Sequence, residues 1–235
     1  RLPEDGRLLH TLARLHQRAN RTDEALAAFH RAVEKAPERS DFRLDLGAFL
    51  RQGGEDEAAM VTFREVQDLD PRNSRAAFEI GRTHAQDGRQ DLAIASYREA
   101  LSLDPHVAIY HGTLGHLLRQ EASREQDLRE ARVLAQRRSA GLDEALVHLQ
   151  RAHELEPADD RWAYEWGLAL QLAERHEEAC QALTTAIEQA RKRRWVHNAT
   201  WQSLANGTPL PALEPLYRRA LGRSLRGRGK LEEAH

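Results

Sequence analysis

Apolar and small residues recur along this chain at a fixed period of 34 residues, and a proline marks each period. Pro37, Pro71 and Pro105 follow one another at this spacing, and Pro157 comes 52 residues later, which is one further period plus 18 residues. Between the prolines, apolar residues are three or four positions apart, which places them along one side of an α-helix. This pattern predicts an array of helical repeats.

Five positions in each repeat keep the same kind of side chain when its proline is numbered 32. Large apolar residues fall at positions 7 and 24, and small residues at positions 8, 20 and 27. Because two antiparallel helices approach closely only where side chains are small, the pattern predicts two packed helices per repeat. Position 7 holds Leu12, Leu46, Ile80, Leu114 and Trp166, position 8 holds Ala13, Gly47, Gly81, Gly115 and Gly167, and position 24 holds Phe29, Phe63, Tyr97, Leu149 and Leu183.

The order of these positions resembles the tetratricopeptide repeat family, whose units read Leu-Gly near the start and then Ala, an aromatic residue, Ala and Pro. The resemblance covers residues 6–190 and implies an all-α fold, a right-handed α-solenoid of antiparallel helix pairs. Position 4 departs from the family, because the common large aromatic is absent there. The five units are expected at 6–39, 40–73, 74–107, 108–159 and 160–190.

An 18-residue insertion lies near residues 121–141, between the two helices of the fourth unit. It has neither Pro nor Gly before Gly141, and Glu125 and Arg129 stand in the favourable order for an ion pair on a helix. The favoured interpretation is that both helices of this unit are elongated. A projecting hairpin that contacts a partner is the alternative.

Residues 191–214 interrupt the repeat and are expected to form an irregular connector, since Arg191 replaces the proline of the fifth unit and two prolines follow. The connector opens with a basic run and a tryptophan, 191–195, which could stack on and neutralise a nucleic acid. The favoured interpretation is a helix C-terminus, where cations oppose the negative end of the helix dipole.

A sixth unit is expected at 215–235, as a first helix and the start of a second one. Leu221, Gly222, Leu225, Gly229 and Ala234 fall at its positions 7, 8, 11, 15 and 20. An array ordinarily ends in a polar capping helix, so this ending predicts that further chain or a partner covers the apolar stripe.

Composition and charge narrow the functional classes. A net charge of −2 and a pI near 6.7 argue against a general nucleic-acid binder. Cys180 is the only cysteine, so neither an internal disulfide nor a thiolate metal cluster can form. No apolar run is long enough to span a membrane. The expected compartment is the cytoplasm, and a secreted or periplasmic location stays open because the chain begins at Arg1.

In the family that this sequence resembles, the first helices line a concave face, and positions 2, 5, 9, 12 and 13 look inward. Transferred to the five units, these positions give 25 residues, of which eight are arginines and one, Asp41, is acidic. Guanidinium groups on a concave surface suit carboxylates and phosphates. The predicted ligand-binding groove consists of Arg7, His10, Arg14, Arg18, Leu44, Arg51, Arg75, Phe78, Arg82, Ile109, His116, Arg119, Arg161 and Tyr164.

This face predicts a non-catalytic interaction scaffold that binds an acidic peptide or protein segment, with apolar footholds at four of the groove residues, Leu44, Phe78, Ile109 and Tyr164. The alternative for the arginines is pairing with acids of the second helices, which would leave a neutral groove. For the whole protein, one alternative is the arm of a larger enzyme, such as a glycosyltransferase, serving substrate recruitment or oligomerisation. A self-assembly module that forms a homo-oligomer is another.

No catalytic residue, cofactor or metal site is expected. None of the 12 histidines lies in a zinc-protease motif. Gly227, Gly229 and Lys230 are not followed by the Ser or Thr of a phosphate-binding loop. His10 and His116 face the predicted groove and are expected to tune ligand affinity near neutral pH. The expected partners are proteins or peptides, without membrane insertion.

Overall fold

The structure is a computed structural model that describes residues 5–127, 132–201 and 214–232, with side chains described for 5–124, 140–192 and 215–229. All regular structure in these residues is α-helical. The helices are α1 (Gly6–Arg18), α2 (Thr22–Lys35), α3 (Ser40–Gln52), α4 (Asp56–Leu69), α5 (Ser74–Gln86), α6 (Gln90–Leu103), α7 (Ala108–Asp127), α8 (Arg132–Leu155), α9 (Asp160–Leu172), α10 (His176–Trp201) and α11 (Glu214–Glu232).

The chain is an all-α solenoid of helix pairs, as the repeat pattern predicts. Its contacts group it into two compact units, 1–105 and 106–235, and each is described by itself. In the described part of the first unit, three pairs follow one another: α1 with α2, α3 with α4 and α5 with α6. In the described part of the second unit, α7 pairs with α8 and α9 with α10, and α11 packs on α10.

The turn inside four of the pairs uses a residue with positive φ at position 15. Gly54 and Gly88 have φ of +82° and +75°, and Asn20 and Glu174 take the same place with φ of 53° and 60°. This left-handed backbone ends the first helix and is most accessible to glycine, with asparagine next. Two of the four turns therefore use a glycine at position 15, and the two other residues adopt the same conformation.

The small residue at position 8 is where the two helices of a pair meet. A Cβ atom added to Gly47 would lie 2.6 Å from the Phe63 ring, and one added to Gly81 would lie 2.6 Å from the Tyr97 ring. In the second unit, a Cβ on Gly115 would lie 2.6 Å from Leu149. The small residue at position 8 thus allows the close packing of two helices that the repeat predicts, and the large residue at position 24 of the second helix packs against it.

The fourth pair has longer helices than the others. Helix α7 has 20 residues and α8 has 24, whereas α5 and α6 have 13 and 14. The described residues therefore have the geometry of two elongated helices, the interpretation favoured for the insertion. Residues 128–131, where the two helices would join, lie outside the described residues.

The segment expected to be an irregular connector is helical in its first part, because α10 continues to Trp201. No Pro or Gly occurs between Arg191 and Trp201, so nothing in that sequence ends the helix. The basic run at 191–194 is therefore inside α10 and not at a helix C-terminus. The rest of the connector, 202–213, lies outside the described residues.

Helix α11 is longer than the first helix expected for a sixth unit. It continues through Gly229 to Glu232, so the turn predicted at position 15 is not formed there. Tyr217, Ala220 and Ser224 are buried and lie along one side of α11. Ala234, the expected start of a second helix, lies outside the described residues. Among the helices described, none combines the length and the apolar character needed to cross a membrane.

Candidate functional site

We use the term first-helix face for the residues at positions 2, 5, 6, 9, 12 and 13 of α1, α3 and α5 in the first unit, and of α7, α9 and α11 in the second. Neighbouring first helices are in contact in both units: α3 with α5, α7 with α9, and α9 with α11. Side chains from two successive helices can therefore meet on this face.

In the first unit, Asp45 joins two of the predicted groove residues. The Nε2 atom of His10 is 2.9 Å from Asp45 Oδ2, and Nη2 of Arg75 donates a hydrogen bond of 2.9 Å to Asp45 Oδ1. The His10 ring also stacks on Phe42, with 4.5 Å between centroids and 15° between planes. This packing fixes the position of the imidazole beside the carboxylate.

Glu79 joins two more predicted groove residues, both of them arginines. Its carboxylate lies 3.4 Å from Nη2 of Arg51 and 3.3 Å from Nη1 of Arg82. Arg51 and Glu79 are buried, and Arg51 also donates to the amide oxygen of Gln86 at 3.3 Å. Arg82 remains partly exposed above the Phe78 ring. Two guanidinium groups thus share one carboxylate.

Helix α1 has an exposed row of arginines. Arg7, Arg14 and Arg18 are spaced by seven and four residues, which places them along one side of the helix, and all three are exposed. Helix α1 has no acidic residue. Within the described residues, Arg14 and Arg18 form no ion pair. Asp41, the one acid predicted on the face, accepts hydrogen bonds of 2.8 and 2.6 Å from Arg39.

Two of the four predicted apolar footholds are not available to a ligand. Leu44 is 3% exposed in the core of the first unit, and Phe78 is 4% exposed and packs against Tyr97. Both side chains are buried, so the expectation that they serve as apolar footholds is wrong. Ile109 is exposed, and Tyr164 is half-buried.

In the second unit, Glu165 joins His116 and Arg119. Nε of Arg119 donates to Glu165 Oε2 at 2.9 Å, and Nδ1 of His116 is 2.9 Å from the same oxygen. Burial of this carboxylate acts to raise its pKa, but the hydrogen bond from His116 and the charge of Arg119 outweigh burial and lower the pKa of Glu165. The carboxylate is therefore held in its charged form.

Arg161 pairs with the residue that caps its own helix. Its Nη2 lies 2.5 Å from Asp159 Oδ2, while Asp159 also accepts the backbone N–H of Arg161 at the start of α9. The guanidinium lies 5.0 Å from the centroid of the Trp162 ring. Hydrogen bonding to Asp159 raises the pKa of Arg161 above its ordinary value, so it stays charged.

Three carboxylates each contact two of the predicted groove residues, and all three are at position 6 of their repeat. This position is not among the inward-facing positions transferred from the family. The three are Asp45, Glu79 and Glu165. The arginine at position 12 of one helix pairs with the acid at position 6 of the next first helix, as Arg51 with Glu79 and Arg119 with Glu165. Recurrence of an acid at one position of the repeat is the signal that could have found them.

The arginines of the predicted groove are therefore more extensively paired with acids than a groove of free arginines would be. The partner acids, however, are not those of the second helices that the alternative interpretation named. For the groove residues Arg51, Arg75, Arg82 and Arg119, the partner acids lie on first helices. The charge of the first-helix face is partly balanced within the face itself.

A cleft of about 300 Å³ opens on the first-helix face of the second unit. Its lining includes the predicted groove residues His116, Arg161 and Tyr164. The other residues that line it are Gly112 and Thr113 of α7, Trp162 and Glu165 of α9, and Leu216 and Tyr217 of α11. Three first helices thus contribute to one concavity with aromatic walls.

Helix α11 contributes arginines to this face that the sequence prediction omitted. Continuing the repeat numbering from Pro215 places Arg219, Arg223 and Arg226 at positions 5, 9 and 12, and all three are exposed. Burial is the largest influence on Tyr164 and raises its pKa, while the charges of Arg223 and Arg119 oppose that rise.

Gln171 of α9 shows that α11 packs as a first helix. Its side-chain amide donates to the backbone oxygen of Ala220 at 2.6 Å and to Ser224 Oγ at 2.5 Å. Gln171 is at position 12 and Ala220 at position 6, the same two positions that Arg51 and Glu79 occupy.

Across the part of the chain that the structure describes, no group of three or more His, Cys, Asp or Glu side chains is arranged to hold a metal ion. Burial raises the pKa of the Cys180 thiol, which keeps it in the neutral form.

Comparison with known proteins supports the repeat assignment. A family model described as tetratricopeptide repeat matches residues 10–73 and 62–108. The comparison with curated proteins gives no match. A crystal structure of MamA is similar to this chain, with a TM-score of 0.60 and 16% identity over 88% of this chain and 98% of that one.

Two further solved structures have the same fold. A MamA structure from Desulfovibrio magneticus RS-1 has a TM-score of 0.60 and 18% identity, over 82% of this chain and 98% of that one. YrrB, titled a tetratricopeptide repeat protein with an unusual peptide-binding site, has a TM-score of 0.55 and 20% identity, over 80% of this chain and 88% of that one. Residues 10–108 therefore match the tetratricopeptide repeat family, and the helix pairs of the described residues have the fold of these solved structures.

Proposed function

We propose that this protein is a non-catalytic scaffold that binds an acidic peptide or protein segment on its first-helix face. Proteins of this repeat family serve generally as interaction scaffolds. The acidic character of the ligand is the further step, and the sharing of the Glu79 carboxylate by Arg51 and Arg82 is the observation that carries it.

One carboxylate balances only one of the two guanidinium charges beside it. The more exposed of the two, Arg82, keeps donor groups that a ligand carboxylate can accept from. Such hydrogen bonds between two charged groups are among the stronger ones in proteins. The buried pair of Arg51 and Glu79 holds this cation in place, so that binding loses little side-chain entropy.

The exposed row on α1 extends the same preference. Arg14 and Arg18 stand one helical turn apart, and Arg75 of α5 reaches Asp45 on the neighbouring α3. An extended acidic segment that crosses these helices meets one guanidinium group after another. YrrB, a protein of similar fold, is described by its title as having a peptide-binding site, and the same fold suits a peptide here.

The test compares two charge-reversal variants of equal net charge. The first double variant, Arg14→Glu with Arg18→Glu, changes two arginines of the first-helix face. The second double variant, Arg64→Glu with Arg72→Glu, changes one exposed arginine on the second helix α4 and one just after it. A labelled glutamate-rich peptide and its glutamine counterpart are titrated against each protein by fluorescence anisotropy. We expect the first variant to weaken binding of the glutamate-rich peptide about tenfold, and the second to leave it unchanged.

Equal losses in the two variants would mean that net charge alone governs binding, and the proposed site would be wrong. Equal affinity of the wild type for the two peptides would rule out the acidic preference. Circular dichroism of each variant controls for loss of the helical fold.

A further inference from the structure

A glycine at position 5 of α7, Gly112, lets the Trp162 ring lie directly against this helix at the cleft of the second unit. At the same position in the first unit, Leu44 and Phe78 have side chains that are buried, and Phe78 packs against Tyr97 of α6. Gly112 has none, and the Trp162 ring lies so close that an added Cβ would be 2.2 Å from it. The space beside these two residues remains open as the cleft of about 300 Å³.

The aromatic walls of the cleft are held in place by contacts behind them. The Tyr217 hydroxyl donates a hydrogen bond of 2.8 Å to Asp160 Oδ2, and both residues are buried. The Tyr164 ring stacks on Tyr217, with 4.4 Å between centroids. Trp162 is 6% exposed, and its indole N–H is directed at Glu156. Walls fixed in this way need no rearrangement to receive a ligand, which lowers the cost of binding.

The mouth of the cleft combines apolar surface with cations. Leu216 lines the cleft and is 47% exposed, although it is a large apolar residue. Arg161 lines the cleft, and Arg223 is exposed at position 9 of α11. Glu165 also lines the cleft, and its carboxylate is paired with His116 and Arg119. The cleft therefore offers burial to an apolar group and attraction to the negative charges next to it.

We propose that this cleft is an anchor pocket for one aromatic side chain of an acidic segment bound on the second unit, with the carboxylates that flank this side chain bound by Arg161 and by the exposed arginines of α11. This proposal rests on the proposed function and adds the residue that the ligand must contain. The cleft volume is at the lower end of the range of about 300–1,000 Å³ for small-ligand pockets, so it suits one side chain. Flat rings on its walls favour offset or edge-to-face packing with an aromatic group.

Peptide variants separate the anchor from the charge. The probes are a glutamate-rich peptide with one central tryptophan, the same peptide with alanine in its place, and the tryptophan peptide with glutamine for every glutamate. We expect the acidic tryptophan peptide to bind about tenfold to a hundredfold more tightly than the alanine peptide, because one aromatic side chain leaves water. Equal affinity of those two peptides would overturn the anchor pocket.

Two exposed leucines of the same helix give a matched pair of variants. Leu216→Ser removes part of the cleft wall, and Leu225→Ser changes a residue that is 52% exposed and does not line the cleft. Leu216→Ser is expected to weaken binding of the acidic tryptophan peptide about fivefold and leave the alanine peptide unchanged. Leu225→Ser is expected to change neither. If both variants weakened binding of the acidic tryptophan peptide equally, the tryptophan would not be bound in this cleft.

The indole N–H resonance of Trp162, assigned with Trp162→Phe, reports on the cleft directly. It should shift with the acidic tryptophan peptide and remain in place with the alanine peptide. A shift with the glutamine-substituted tryptophan peptide at equal affinity would support the pocket and overturn the acidic preference of the scaffold. Tight binding of the acidic peptides without a Trp162 shift would support the scaffold and overturn the pocket, so the two failures are distinct.

Discussion

Each carboxylate at position 6 of the first helices contacts two basic side chains. Glu165 is the clearest case in the second unit, since it accepts from Arg119 and His116 and its side chain is only 16% exposed. A buried carboxylate without partners would be protonated at neutral pH. Here the partners lower its pKa, and the charged form contributes to the stability of the folded state.

Replacing this carboxylate by an amide should destabilise the protein at neutral pH. Glu165→Gln leaves the guanidinium of Arg119, also 16% exposed, without its ionic partner. We expect the free energy of unfolding to fall by about 1–3 kcal/mol in urea denaturation followed by circular dichroism. Glu154→Gln breaks an exposed pair with Arg151 and serves as the control, for which no measurable change is expected.

The same variant gives a pH dependence of known sign. The folded-state pKa of Glu165 is lower than its ordinary value of 4.5, so the unfolded state binds the proton first as the pH falls. The stabilisation is fully present above that ordinary value and is lost as the pH falls through the folded-state pKa. The difference between wild type and Glu165→Gln should therefore shrink below about pH 5. A difference that stays constant into that range would show that the charge of Glu165 does not stabilise the fold.

At the scale of the helices, one residue type has opposite effects in two places. Gly115 lies at a close helix contact, where an added Cβ would be 2.6 Å from Leu149 and 3.1 Å from the backbone oxygen of Ala145. Gly229 lies inside α11, and a Cβ there would meet nothing within 4 Å. Glycine at the first place allows packing, whereas at the second it only weakens the helix.

Alanine substitutions at these two glycines should therefore change stability in opposite directions. Gly115→Ala is expected to lower the free energy of unfolding by about 1–3 kcal/mol through overpacking. Gly229→Ala is expected to raise it by about 0.5–1 kcal/mol, because alanine is the better helix former. Thermal unfolding followed by circular dichroism measures both. Destabilisation by Gly229→Ala would indicate that this residue takes the left-handed turn conformation of Gly54 and Gly88.

The close helix contacts could be predicted from sequence because they depend on residue size at a fixed period. Gly47 against Phe63 is such a contact. In each of the five repeats the sequence has a small residue at position 8 and a large one at position 24. The extent of α10 and α11 was harder to predict. A missing proline predicts irregularity only if other residues break the helix, and none does so before Trp201. A glycine such as Gly229 permits a turn without requiring one.

The candidate site was predictable as a face but not as a set of contacts. Positions transferred from the family identify His116 and Tyr164 as neighbours of the cleft. They do not reveal Glu165, because an acid one position away from the inward set looks like an ordinary solvated residue. Nor do they reveal the cleft itself, which is lined by the Trp162 ring packed against Gly112 and by the α11 residue Leu216.

For the molecule as a whole, net charge and local charge predict opposite behaviour. The chain has a net charge of −2, so its overall field repels an acidic segment. The first-helix face has exposed Arg14 and Arg18 and the shared cations around Glu79. At physiological ionic strength the Debye length is about 8 Å, so charges close to the ligand matter more than distant ones. The local field should therefore govern association.

The rate of association with an acidic peptide measures which field governs. We expect the association rate constant of the glutamate-rich peptide, measured by stopped-flow anisotropy, to fall as salt is added, since screening weakens the local attraction. In the double variant Arg14→Glu with Arg18→Glu, the dependence of this rate constant on salt concentration should become weaker or change sign. The double variant Arg64→Glu with Arg72→Glu has the same net charge and should keep the salt dependence of the wild type. A wild-type rate that rises with salt would mean that the net negative charge prevails, and the first-helix face would then lack the positive potential that an acidic ligand requires.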